Sequence, residues 1–63
     1  MNNYYDEYLI LAGWCSSNFN NSYLDFIWNG KDLFVYLSKD EKIWYSRAEL
    51  ILQYNLPLNL FSN

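Results

Sequence analysis

Two largely apolar runs, at 24–28 (interrupted by Asp25) and 33–37, flank the polar stretch Asn29-Gly30-Lys31-Asp32, and a third apolar cluster, Ile43-Trp44-Tyr45, follows a second polar break at Ser38-Lys39-Asp40-Glu41. An Asn-Gly pair between apolar runs predicts a β-hairpin, because a type I′ turn needs φ > 0 at both central residues. With a two-residue loop, Phe26 faces Leu33, Leu24 faces Val35 and Ser22 faces Leu37 on one side of the sheet. Tyr23 then faces Tyr36, Asp25 faces Phe34 and Ile27 faces Asp32 on the other. The second break returns the chain so that Ile43 faces Tyr36, Trp44 faces Val35 and Tyr45 faces Phe34. Side chains alternate along a strand, so one face reads Leu24, Phe26, Trp28, Leu33, Val35, Leu37, Trp44. The opposite face reads Tyr23, Ile27, Phe34, Tyr36, Ile43, Tyr45, interrupted by Asp25 and Asp32.

The pattern then changes period. Ser46-Arg47-Ala48-Glu49 is a capping box, with Tyr45 and Leu50 placed as a hydrophobic staple, and it predicts a helix over 47–54. Asn55 suits a left-handed terminator and Pro57 cannot continue the helix. Near the N-terminus an Asn cap, the acids Asp6 and Glu7, and a stripe of Tyr4, Tyr8, Leu11 and Cys15 beside Tyr5, Leu9 and Ala12 predict a helix over 3–14, ended by Gly13. The competing reading is a strand over 8–11, since a short apolar run fits either. Residues 16–22 read as a polar loop carrying Phe19, and 56–63 as an extended tail that docks or anchors a partner. The expected fold is a single small α+β domain over 1–63: helix, three-stranded antiparallel meander with strands at 23–28, 32–37 and 42–45, capped helix, tail.

Length changes the picture by limiting the core. A chain of 63 residues buries only about 60% of its unfolded surface and commonly needs a staple or a partner. Cys15 is the single cysteine and histidine is absent, so neither an intrachain disulfide nor a histidine-containing zinc site is expected. Three Trp, seven Tyr and four Phe supply large burial areas instead, and they point to a dense aromatic core acting together with oligomerisation. The first residues lack the basic start of a signal peptide and no apolar run is long enough to span a bilayer, so a reducing cytoplasm is the expected compartment.

Candidate chemistry is sparse. Without histidine the commonest general base near neutral pH is missing, and Cys15 among Trp14, Ser16 and Ser17 has no activating neighbour in sequence. Asp25 and Asp32, diagonal across the expected hairpin at roughly 7 Å, read as solvated charges rather than an acid/base pair. No catalytic residue, cofactor or metal is expected. The basic residues are only Lys31, Lys39, Lys42 and Arg47, against a net charge of −3, too few for a phosphate-binding patch. There remains the second apolar sheet face. A helix on each face makes a three-layer core; both helices on one face leave Tyr23, Ile27, Phe34, Tyr36, Ile43 and Tyr45 as a protein interface. The expectation is a non-catalytic protein-binding module, a homodimer. Its Asn/Tyr-rich, Lys/Arg-poor composition looks like that of a phage or mobile-element protein that inhibits a host defence or regulatory protein by stoichiometric binding. The alternatives are a small transcriptional or DNA-associated regulator and a minor structural subunit of a larger assembly.

Overall fold

The N-terminal apolar run is a helix. A computed structural model describes residues 4–22 and 24–58 and gives the order α1 (Tyr4–Asn18), β1 (Asp25–Trp28), β2 (Asp32–Ser38), β3 (Glu41–Ser46), α2 (Arg47–Leu52). The fold is α+β, with one antiparallel sheet in the order β1-β2-β3. Asp6 and Glu7 occupy the first turn of α1, where carboxylates complement the helix dipole. The buried stripe is Glu7, Leu11 and Cys15, at successive i+4 steps. Leu11 and Cys15 are buried as the expected stripe has them, but Glu7 takes the place of Tyr8, which with Leu9 is 45% and 54% exposed; the side chains of Tyr4 and Tyr5 lie outside the described residues. Gly13 does not end the helix. A Cβ there would meet nothing within 4 Å, so the residue sits on an open surface and costs only about 1 kcal/mol in propensity. Trp14 and Cys15, just beyond it, pack into or against the core, and that burial carries the helix on to Asn18. There the Phe19 amide donates to the Cys15 carbonyl at 2.9 Å and Asn18 Nδ2 donates to the Trp14 carbonyl at 2.8 Å.

The first hairpin forms with a longer loop than the Asn-Gly pair predicts. Trp28 pairs with Leu33, Ile27 with Phe34, Phe26 with Val35 and Asp25 with Tyr36. Asn29, Gly30, Lys31 and Asp32 therefore separate the paired ends, and the turn is not type I′. Asn29 keeps a negative φ, and Gly30 alone in the loop takes positive φ, at 90°. The Asn29 side-chain oxygen accepts from the amides of Lys31 at 2.9 Å and Asp32 at 2.7 Å, a local bond that lets an Asn side chain stand in for backbone in a turn. The register thus moves by two residues from the expected one. An even shift preserves the faces, so the β1 and β2 assignments survive.

The second hairpin behaves differently. Ser38 pairs with Glu41 at the turn, but a bulge between Tyr36 and Ser38 moves the pairing by one residue. Beyond it Val35 faces Ile43, Phe34 faces Trp44 and Leu33 faces Tyr45. An odd shift exchanges faces. Ile43 and Tyr45 therefore share the face of Leu33 and Val35, and Trp44 points the other way, the reverse of the sequence-based expectation.

α2 starts where the capping box placed it. Ser46 is extended (φ −85°, ψ 158°) and its hydroxyl accepts from the Glu49 amide at 3.1 Å, as a helix cap does. The helix stops at Leu52, and Asn55 takes the left-handed conformation (φ 57°), which lets the Leu56 amide donate to the Leu50 carbonyl at 3.1 Å. Past Pro57, Leu58 is buried; residues 59–63 of the expected tail lie outside the described residues. Leu11, Cys15, Leu50 and Leu58 form one core with Trp28, Leu33 and Val35. Both helices thus cover the same sheet face. Trp14 joins them at one end, its ring set edge-on to those of Phe19 at 5.8 Å, Tyr45 at 5.3 Å and Tyr54 at 5.2 Å, the tilted geometry that aromatic pairs prefer.

Candidate protein interface

The face away from the helices has a simple layout, fixed by the two registers. One row across the sheet holds Asp25, Tyr36 and Lys42; the next holds Ile27, Phe34 and Trp44; the last holds Asp32 and Ser46. Ile27 and Trp44 are 52% and 56% exposed on the outer strands, while Phe34 and Tyr36 are half-buried between them on β2. Ile27, Phe34 and Trp44 thus form one apolar row across the side of the sheet that the helices leave open.

Charge is arranged around and above this apolar row. Asp32 Oδ1 accepts from the Trp44 indole at 3.0 Å, which holds the large ring in one orientation on the sheet surface. Asp25 Oδ1 accepts from the Phe26 amide at 2.8 Å. The Lys42 ammonium lies over the rings of Phe34 and Tyr36, 5.3 Å and 5.7 Å from their centroids, where the π faces attract a cation. Asp25 lies opposite Tyr36. That is four residues along β2 from Asp32, or roughly 13 Å at about 3.3 Å per residue. The diagonal pair of carboxylates expected from the shorter loop therefore does not form.

Of the residues proposed from sequence as an interface, Ile27, Phe34 and Tyr36 come together on this face. Ile43 and Tyr45 lie on the helix-covered side, through the bulge, and Tyr23 lies outside the described residues. Trp44, which sequence reasoning sent to the core, replaces them. A signal for this was present: Tyr45 belongs to the staple of α2, and a staple residue must point to the side that the helix covers. With Tyr45 turned inward, alternation turns Trp44 outward.

What holds the helices to the opposite side was also missed. Arg47 and Glu7 form a bidentate ion pair, Nη2 to Oε2 at 2.6 Å and Nη1 to Oε1 at 3.2 Å, with both side chains largely buried. Arg47 Nη1 also donates to the Gly30 carbonyl at 2.7 Å, and its backbone amide donates to the Lys31 carbonyl at 2.9 Å. The guanidinium stacks over Trp28 at 5.6 Å, a further cation–π contact. One side chain therefore ties α1, the first hairpin loop and the start of α2 together. The loop's carbonyls are occupied by Arg47, which favours the longer loop over the tight turn.

Two of the remaining groups hold their protons more tightly than usual. Burial pushes the Cys15 thiol up to about 11, the opposite of an activated nucleophile. Burial, with the neighbouring Tyr54, Glu49 and Cys15, also raises the Tyr45 phenol. Among the described residues no group of three His, Cys, Asp or Glu side chains is placed to hold a metal ion, and no helix is long and apolar enough to cross a membrane. Comparison of the chain with protein-family models, with curated proteins and with solved structures finds no match to any of the three.

Proposed function

We propose that the protein is a non-catalytic binding module that contacts another protein through the open sheet face, with Ile27, Phe34, Tyr36 and Trp44 as the contact residues. The observation that carries this reading is the packing of both helices on one side of the sheet, with Ile27 and Trp44 left exposed and Phe34 half-buried between them on the other. Aromatic side chains concentrate binding energy at the centre of an interface, and Phe34, flanked by Ile27 and Trp44, sits at the centre here. A host protein, inhibited by stoichiometric occupation of its working surface, is the partner we propose. The nucleic-acid alternative is weakened because Arg47 is committed to Glu7, leaving Lys31, Lys39 and Lys42 as the exposed cations.

The test compares wild type with Trp44→Lys and Phe34→Lys as immobilised bait. Wild type should retain one protein at fixed stoichiometry and both variants should lose it, while their far-ultraviolet circular dichroism stays native. Retention by folded variants at the wild-type level overturns the assignment of this face.

A further inference from the structure

We propose that the open face also accepts a second copy of this chain, in a two-fold arrangement whose axis runs parallel to β2. This rests on the reading of that face as a protein-binding surface, and it names an occupant from the face's own charge layout. Asp25 and Lys42 stand at opposite ends of one row, on β1 and β3, with Tyr36 between them. Both side chains are exposed, and among the described residues neither forms an ion pair within its own chain.

A two-fold axis along β2 exchanges left for right and keeps each row level. Asp25 then meets the partner's Lys42, and Lys42 meets the partner's Asp25. Ile27 meets the partner's Trp44 in the same way, twice, and Phe34 meets the partner's Phe34 on the axis. The surface is thus complementary to itself in charge and in apolar area, as an isologous dimer requires. Stacked sheets that keep their strands aligned within about 30° pack about 10 Å apart, a gap these side chains can fill. Turning the partner end for end sets Lys42 against the partner's Ser46 and leaves Asp25 without a cation, so the charges select the first arrangement. On forming the dimer, the Lys42 ammonium leaves its resting place over Phe34 and Tyr36 and uncovers the rings that the partner packs against.

Three strands about 4.8 Å apart offer a small contact, below the roughly 800 Å² per partner of stable complexes. The dimer is therefore concentration dependent, and it masks the same residues that a different protein contacts. The two occupants exclude one another.

Sedimentation equilibrium from about 1 µM to about 1 mM reads the association constant directly. Asp25→Lys and Lys42→Asp each place like charges across the axis twice, and each should weaken self-association at least tenfold. An equimolar mixture of the two single variants regains both pairs and should form a dimer with near wild-type strength, as should the double exchange within one chain. Asp32→Asn keeps an acceptor for the Trp44 indole and removes the repulsion of two carboxylates on the axis, so it should tighten the dimer several-fold. Wild type that stays monomeric throughout overturns the dimer and leaves the bait experiment untouched. A wild-type dimer that neither single exchange weakens is formed through another surface, which also overturns it.

Discussion

Leu33 and Phe34 are adjacent on β2, similar in hydrophobicity, and have opposite fates. Leu33 is fully buried beneath both helices, whereas Phe34 looks outward, half-buried, with the Lys42 ammonium over its ring. The covered face gathers Leu11, Cys15, Trp28, Leu33, Val35, Leu50 and Leu58 into one core, whereas the open face sets the apolar row Ile27, Phe34, Trp44 between rows that carry Asp25 and Lys42 on one side and Asp32 and Ser46 on the other. Stability alone accounts for the first face. It does not account for the second, because polar substitutions at Ile27 or Trp44 would cost the monomer little and lower its tendency to associate.

The strongest way to break this contrast is to release the clamp that commits the helices to one side. Glu7→Ala strands the Arg47 guanidinium in a largely buried place, and about 3–5 kcal/mol should be lost, enough to unfold a domain of this size. Replacing both residues with apolar ones of similar volume should recover much of that loss. Urea denaturation of the three chains decides; a near-neutral Glu7→Ala would mean that the pair does not hold α1 in place.

Next in size is the comparison of neighbours. Leu33→Ala should cost about 2–5 kcal/mol through lost burial and a cavity, and Phe34→Ala well under half of that, although more atoms are removed. Equal losses at the two positions would contradict the two-layer arrangement.

Titration sharpens the covered face from another direction. The Cys15 thiol is raised to about 11 in the folded chain from 9.0, so the folded state holds its proton more tightly than the unfolded state does. The contribution is complete below pH 9 and is lost as pH rises toward 11, on the order of 3 kcal/mol. The difference in urea midpoint between wild type and Cys15→Ala should shrink over that interval. A constant difference would place the thiol in contact with water.

The smallest effect belongs to the join between the sheet and α2. Ser46→Ala removes the acceptor for the Glu49 amide and should cost about 1 kcal/mol, lowering the melting midpoint by roughly 4–8 °C. No change would mean that the helix start is held by Arg47 alone.

Much of this was readable from local chemistry. The capping box located the start of α2, Asn55 its left-handed terminator, and the polar breaks at 29–32 and 38–41 the ends of the strands. The faces of β1 and β2 survived a wrong loop length because the error was an even number of residues. The third strand was not so forgiving: Ile43-Trp44-Tyr45 is apolar throughout, carries no alternation of its own, and depends on a bulge at Leu37 that no glycine announces. Glu7 and Arg47 were illegible for a different reason. They lie 40 positions apart, and a charged residue in an apolar stripe reads as solvated until its partner is known.

That separation has a consequence for the order in which the molecule opens. The sheet and α2 are made of neighbours in sequence, while α1 is fastened to them across most of the chain. Segments held by few long-range contacts detach as cooperative units before global unfolding. Cys15 lies on the inner side of α1 and is sealed while the helix is docked. Its labelling rate by a thiol reagent is therefore a clock for the release of α1, one that runs without any change in the sheet and whose pace is set by the Glu7–Arg47 pair.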